Sequence, residues 1–175
     1  MNSFADRLIR AARLDVALYE EVERDERATA QALAVVVLAA LATGIGARGG
    51  LFGLAAGVIA SLIGWYIWSA LTYWIGTRFF PEPTTEATLG QLLRTIGFAQ
   101  SPGLLRVLGA IPGLDVIMAL ATAIWMLVAA VVAIRQALDY QSTGRAVLVV
   151  VVGWVAQLVL LALVFAVLSV ARGQH

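Results

Sequence analysis

Residues 116–134 read VIMALATAIWMLVAAVVAI, and this stretch of 19 residues carries no charged side chain. At a rise of about 1.5 Å per residue, roughly 20 residues of helix cross the roughly 30 Å hydrocarbon core of a bilayer. Three other stretches are also uncharged and at least as long, namely Ala28–Ala47, Gly49–Thr77 and Ala146–Ala171. The sequence therefore predicts a membrane protein that crosses the bilayer several times.

The composition is typical of a single membrane domain. Of the 175 residues, 61% are hydrophobic and 13% are charged, which leaves no room for a separate soluble domain. Backbone groups in lipid must pair within the chain, so a spanning segment is either a helix or part of a closed barrel. Because the apolar runs are continuous and do not alternate, we predict an all-α helical bundle.

The charge and the reactive residues exclude several classes of function. A net charge of +1 argues against a nucleic-acid partner, which needs a basic face. The chain has no cysteine, its one histidine is His175, and no pair of acids has a spacing that suggests joint acid–base work. We therefore predict no catalytic residue, no metal and no cofactor. All 12 cations are arginines, which suggests a GC-rich bacterial source.

The first 28 residues differ from a signal peptide, because they carry seven acids and five arginines. From Phe4 to Val22 the apolar residues fall on one helical face, which predicts an amphipathic helix within residues 1–28. Two interpretations remain open. The helix lies on the cytoplasmic bilayer surface with its arginines near the headgroups, or it packs on the protein's own loops.

The first two spans are predicted to form a tight antiparallel hairpin, because only Gly44–Gly50 separates them. On the second span small residues recur every fourth position, at Gly49, Gly53, Gly57 and Ser61. Such a ridge permits the close approach of another helix. That helix belongs either to the same chain or to a second copy, so a homo-oligomer is one of the expectations.

The third segment is predicted to be discontinuous. Thr88 and Gln91 match a capping box that begins a helix, and proline-glycine pairs at residues 101–103 and 111–113 interrupt it. Irregular backbone at membrane depth survives only where protein or water covers it, so residues 89–112 should face the bundle interior. The candidate polar or ligand contacts are Arg94, Gln100, Ser101, Arg106 and Asp115.

The charged members of this set have two interpretations, since an ion inside a membrane costs about 2.5–3.5 kcal/mol on insertion scales. In the first, Arg94 and Arg106 attract an anionic substrate or headgroup, helped by the free amides of a broken helix. In the second, the two arginines extend to opposite surfaces, and Asp115 caps the helix that follows Pro112-Gly113.

The arginine distribution predicts a cytoplasmic N-terminus under the positive-inside rule. It does not decide whether residues 89–112 cross the bilayer. A crossing segment gives five spans and a re-entrant one gives four, and both arrangements place nine arginines inside and three outside.

The stretches IGFAQSPGLLRVLGAIPG (96–113) and AIRQALDYQSTGRAVLVVVVGW (133–154) resemble bacterial members of the Yip1 domain family. The resemblance covers roughly Gln31 to Leu168, and its strongest elements are the Gly97-Phe98…Pro102 step and the loop at 137–146. It implies a cytoplasmic N-terminus and five membrane helices, the third one short. The expected domain is 29–172, with spans of about 29–47, 51–76, 89–112, 114–135 and 146–170.

The resemblance and the missing catalytic groups predict a non-enzymatic protein of the bacterial cytoplasmic membrane. We expect it to organise membrane lipids or to recruit a protein partner. The recruiting surface would be a cytoplasmic face formed by residues 1–28, 77–88 and 135–146. Its last loop contains Arg135, Asp139 and Arg145, and the first two of these are spaced to pair on one helix.

The alternative function is a small transporter, channel or lipid scramblase that uses the broken third helix. In that case Arg94, Arg106 and Asp115 should converge on one water-accessible cavity. If the protein is a scaffold, these residues should lie near opposite interfaces.

Eukaryotic members of the family are associated with Rab GTPases. Their Asp-Leu-Tyr-Gly-Pro motif has no counterpart here, because Glu20-Glu21 follows Leu18-Tyr19.

Overall fold

The computed structural model describes residues 3–48 and 50–172. This part of the chain is helical, which confirms the predicted all-α class. The elements are α1 (Phe4–Ala12), α2 (Val16–Arg24), α3 (Ala28–Gly46), α4 (Gly50–Arg78), α5 (Leu89–Phe98), a 3₁₀ segment (Ser101–Ala110), α6 (Asp115–Ala137) and α7 (Thr143–Arg172).

Three helices, α3, α4 and α6, are long and apolar enough to cross a membrane, with lengths of 19, 29 and 23 residues. Helix α7 is 30 residues long, and its sequence is uncharged from Ala146 to Ala171. Continuous apolar sequence favours these long helices, because helix formation pairs every interior backbone group within the segment.

The N-terminal region forms two helices, so the prediction of one helix from Phe4 to Val22 is wrong. The chain reverses at Leu14, which has a positive φ of 62°. Asp15 then begins α2 by accepting a hydrogen bond from the backbone N–H of Ala17 at 3.0 Å. Asp15 would interrupt the apolar stripe of the predicted single helix, and in the structure it is the N-cap of the second helix.

This N-terminal hairpin, residues 4–24, packs against the side of the bundle, chiefly on α5 and α6. Ala11, Leu18, Tyr19 and Val22 are fully buried there. The hairpin tip reaches the middle of α6, where the indole N–H of Trp125 donates to the carbonyl of Ala12 at 2.7 Å. The apolar face therefore contacts membrane helices of the same chain, and it is not available to cover a bilayer surface.

The arginines of the hairpin are paired with its own acids. Arg7 contacts Glu21 at 2.8 Å and Asp25 at 2.9 Å. Arg10 contacts Asp15 at 2.7 Å and Glu21 at 2.9 Å. A hydrogen bond from Arg10 lowers the pKa of Asp15, and one from Arg7 lowers the pKa of Asp25. These ion pairs hold α1 against α2, and a hydrogen bond from Arg7 to Gln31 at 2.8 Å connects α1 to the start of α3.

The third segment is discontinuous, as predicted, and it runs beside α3. The capping box begins α5, since the Thr88 backbone N–H donates to Gln91 at 2.6 Å and the Gln91 N–H donates to Thr88 at 3.3 Å. Gly97 then lies against Ala32, Gly103 against Ala39, and Gly109 against Gly46.

The 3₁₀ conformation explains how so short a segment follows α3. The third segment contacts α3 from residue 97 to residue 109, and the residues of α3 that it meets run in the same order from 32 to 46. A 3₁₀ helix rises about 2 Å per residue and an α-helix about 1.5 Å. Six residues of the first therefore cover about the same distance as seven or eight of the second. The segment keeps pace with α3 to the α3–α4 turn.

The two ends of the bundle are called the platform end and the hairpin end. The platform end contains the end of α2, the start of α3, the end of α4 and the loops at 79–88 and 138–142. The hairpin end is named after the hairpin of α3 and α4, not after the N-terminal hairpin. It contains the α3–α4 turn and residues 110–114, where Arg48 donates to the Ala110 carbonyl at 3.3 Å.

The small-residue ridge on α4 does not pack against another described residue at Gly53 or Gly57, where an added Cβ would meet open space. The prediction of in-chain packing is therefore wrong at these two positions. Ser61 is half-buried, and Gly49 lies outside the described residues. The first half of α4 packs through a different residue, since Leu54 lies against Gly44 of α3. The buried residues of α4 lie in its second half and include Trp65, Ser69, Thr72 and Gly76.

Candidate functional site

Arg94 binds the end of α2. It is 7% exposed, and its Nε donates to the carbonyl of Val22 at 2.9 Å. Its Nη2 donates to the carbonyl of Glu23. The last carbonyls of a helix lack internal partners and carry the negative end of its dipole. Arg94 therefore fastens the N-terminal hairpin to α5, and its guanidinium is bound by the protein's own carbonyls.

Glu23 lies in the same contact and is 6% exposed. Its Oε1 accepts a hydrogen bond from the amide of Gln91 at 2.8 Å. Burial, reinforced by the negative charge of Asp139, raises the pKa of Glu23 from 4.5 to about 7. The sequence pattern did not single out Glu23. The available signal is that it follows Tyr19 by one helical turn and so shares the buried face.

The loops at the platform end are joined by several contacts, and residues 79–88 with 138–145 are called the loop platform. Glu82 pairs with Nε of Arg145 at 3.3 Å and accepts the backbone N–H of Gln141 at 2.8 Å. Arg145 also donates to the carbonyl of Pro81 at 2.9 Å. The hydroxyl of Thr84 donates to the carbonyl of Asp139 at 2.9 Å.

Tyr140 anchors the loop platform to α4. Its hydroxyl lies 3.0 Å from the carbonyl of Gly76 and 2.8 Å from that of Phe80. Burial raises the pKa of Tyr140 to about 12, and the charge of Glu82 adds to this effect. The neutral hydroxyl is therefore retained as a donor at any physiological pH.

The predicted pair between Arg135 and Asp139 is wrong. Helix α6 ends at Ala137, and Asp139 has a positive φ of 51°, so the two residues do not share a helix face. Arg135 instead donates to the carbonyls of Tyr140 at 3.2 Å and Gln141 at 3.3 Å. Burial raises the pKa of Asp139, and the nearby charge of Glu86 adds to it.

Arg106 lies near the hairpin end, far from Arg94 along the third segment. Its Nε donates to the hydroxyl of Thr122 at 2.9 Å, and its backbone carbonyl abuts Gly46. Among the described residues no carboxylate lies within 4.0 Å of it. Asp115 is the first residue of α6 and makes no capping hydrogen bond, so the predicted N-cap is wrong.

Two cavities border Arg106. One of about 500 Å³ opens at the hairpin end and is lined by Arg106, Asp115, Thr43 and Ala119 among others. The other, called the inner cavity because it lies among the helices, is also open to the surroundings and has a volume of about 340 Å³. It lies between α4, the end of α5, α6 and α7, and its lining includes Trp65, Trp68, Gln100, Arg106, Met126, Trp154 and Gln157.

The two remaining candidate residues, Gln100 and Ser101, have different surroundings. Gln100 lines the inner cavity, but Ser101 is buried and donates to the carbonyl of Phe98 at 2.6 Å, where it closes the end of α5. The structure thus brings Gln100 and Arg106 to one cavity, and Arg106 and Asp115 to another. Arg94 shares neither of them.

The match of the chain to a known domain agrees with this architecture. The model of the Yip1 domain matches residues 17–164. The chain belongs to the Yip1 domain family. The matched part of this Yip1 protein begins within α2 and ends within α7, so it includes the Arg94 contact, the loop platform and both cavities. No curated protein and no solved structure matches the chain.

The two sequence elements that carried the resemblance have clear structural roles in this Yip1 protein. Gly97 allows α5 to touch α3, since an added Cβ would lie 2.7 Å from the Cβ of Ala32. Residues 137–146 supply one side of the loop platform. Both elements maintain the fold.

Proposed function

We propose that this protein spans the bilayer five times and recruits a protein partner, or organises the surrounding membrane, through its loop platform on the cytoplasmic side. The observation that carries the proposal is the set of contacts joining Glu82, Arg145, Thr84 and Tyr140. A surface that is already ordered loses less conformational freedom when a partner binds.

The path of the third segment supports a crossing. It runs beside α3 from Ala32 to Gly46, whereas a re-entrant segment would return to the end at which it began. With α3, α4, α6 and α7, it makes five spans. The N-terminus and the loop platform then share one side with nine of the twelve arginines, which favours the cytoplasm.

The positions of the arginines favour recruitment over transport. A transport route would need Arg94 and Arg106 on one wet path, but the guanidinium of Arg94 is occupied by backbone carbonyls of α2. The exposed groups at the platform end include Arg24, Glu86 and Gln141, which form a mixed polar surface. No metal-ligating or catalytic group is assigned to this surface.

A crosslinking experiment in native membranes tests this proposal. Because the chain has no cysteine, Glu86→Cys and Gln141→Cys each introduce a single reactive site on the loop platform. A maleimide–benzophenone crosslinker, which attaches to the introduced thiol and on illumination inserts into C–H bonds of a neighbouring protein, should give one discrete protein adduct at both positions. Ala110→Cys, exposed at the hairpin end, is the matched control and should give none. Equal adducts at Ala110, or none on the loop platform, would contradict recruitment there.

A further inference from the structure

The inner cavity has more hydrogen-bond donors than acceptors. Gln100, Gln157 and Arg106 line it together with the indoles of Trp68 and Trp154, and no acid is among the lining residues. Within residues 3–48 and 50–159, neither glutamine side chain has a hydrogen-bond partner, and Arg106 uses only its Nε. The terminal nitrogens of its guanidinium are therefore available to a ligand.

The position of this cavity favours an anionic ligand. Its walls belong to helices α4, α6 and α7, whose neighbouring sequence is uncharged over long stretches. A cation among such apolar helices is stabilised by an anion that shares its site. Guanidinium groups bind phosphate oxygens through two parallel hydrogen bonds, which combine charge with geometry.

The lining of the inner cavity favours a ligand that has both a polar and an apolar part. Small residues make the space, including Gly64, Ala99 and Ala130, while tryptophans and Met126 supply apolar surface. Trp154 at the edge of the cavity is 54% exposed, so the space borders the surroundings of the bundle. About 340 Å³ accommodates a headgroup and its glycerol, but not two acyl chains. The chains must remain outside.

We propose that the inner cavity binds the phosphate headgroup of a bilayer phospholipid. Arg106 binds the phosphate, and the amides of Gln100 and Gln157 donate to its ester oxygens. The acyl chains pass Trp154 into the bilayer. The second cavity, on the other side of Arg106, extends to the hairpin end, where Asp115 lies at its exposed border.

Two variants test the site by different routes. Arg106→Gln removes the charge. Gly64→Leu fills the cavity, since an added Cβ at Gly64 meets open space. Gly57→Leu is the matched control, because Gly57 is also half-buried on α4 with open space beside it, but it does not line this cavity. The full-length proteins are compared in detergent after their thermal melting has been checked.

The measurement is native mass spectrometry with added phosphatidylglycerol, with diacylglycerol and inorganic phosphate as competitors. We expect one saturable phosphatidylglycerol site that binds about tenfold or more weakly in Arg106→Gln and in Gly64→Leu. Gly57→Leu should bind like the unmodified protein. Unchanged binding in Arg106→Gln, or equal binding by the two leucine variants, would overturn the proposal.

The competitors distinguish the possible sources of the anion. Diacylglycerol carries the same chains without phosphate, so equal binding of diacylglycerol would overturn phosphate recognition. Displacement of the lipid by inorganic phosphate at an equal concentration would assign the cavity to a soluble anion and overturn the lipid assignment. Retention of phosphatidylglycerol against both competitors supports it.

Discussion

Glu23 makes the docking of the N-terminal hairpin depend on pH. The carboxyl accepts a hydrogen bond from Gln91 of α5, and the charges of Glu20, Arg24 and Asp139 act on it. Arg94 binds the backbone carbonyl of Glu23. Because folding raises its pKa from 4.5 to about 7, the folded state binds this proton more tightly than the unfolded state does. The stabilisation is fully present below pH 4.5 and is lost as the pH rises to about 7.

We therefore expect the hairpin to open more readily at about pH 8 than at about pH 6. Glu23→Gln should strengthen docking at the higher pH and reduce this dependence. Hydrogen exchange of α2, corrected for the intrinsic rate at each pH, measures the effect. Glu26→Gln, a change at an exposed site next to the hairpin, is the control. Persistence of the full pH dependence in Glu23→Gln would exclude this carboxyl as its source.

Arg94→Met should also release the hairpin, because it leaves the carbonyls of Val22 and Glu23 without their donor. An unsatisfied buried carbonyl costs about 1–3 kcal/mol, which predicts roughly tenfold faster trypsin cleavage after Arg27. Arg78→Met, at the exposed end of α4, removes an arginine without this contact and should leave the rate unchanged. Equal rates in the two variants would show that Arg94 does not hold α2.

Sequence reasoning succeeded for residues whose partners are close in the chain. Thr88 and Gln91 are three residues apart, so their capping box is visible as a motif. The partners of Arg94 are 71 and 72 residues away, and no local pattern indicates them. The pairing of Arg135 with Asp139 failed for another reason, since spacing predicts a contact only if the helix continues through both residues.

At the scale of elements, close contact between α3 and the third segment depends on glycine. Gly97→Ala would place a methyl group 2.7 Å from the Cβ of Ala32, and such overpacking typically costs about 1–3 kcal/mol. Gly53→Ala, where the space is open, should be neutral or should stabilise α4 by up to about 1 kcal/mol. Thermal unfolding in detergent should show opposite or clearly unequal shifts. A similar loss in both variants would contradict the packing.

The prolines at residues 102 and 112 predicted where the third helix breaks, but not the 3₁₀ conformation between them. That conformation follows from tertiary packing, because the segment must reach the α3–α4 turn beside a longer helix. The reversal at Leu14 was missed for a related reason. The periodicity of α1 continues into α2 on one buried face, so the apolar pattern alone favours a single helix.

For the whole molecule, the sequence predicted the helical class and the approximate positions of the long apolar helices. It left four and five crossings equally supported by the distribution of arginines. The path of the third segment favours five. It also separates the two proposed sites, with the loop platform and Arg94 at one end and the cavities around Arg106 toward the other. Recruitment and lipid binding are therefore proposed for different surfaces.

The most direct test of this topology uses single cysteines in the cysteine-free chain. Ala110→Cys and Gln141→Cys introduce exposed thiols at the hairpin end and on the loop platform. A membrane-impermeant maleimide, added first to intact cells and then to inverted vesicles, should label Ala110→Cys only from outside and Gln141→Cys only from inside. Labelling of both positions from the same side would contradict a crossing by the third segment.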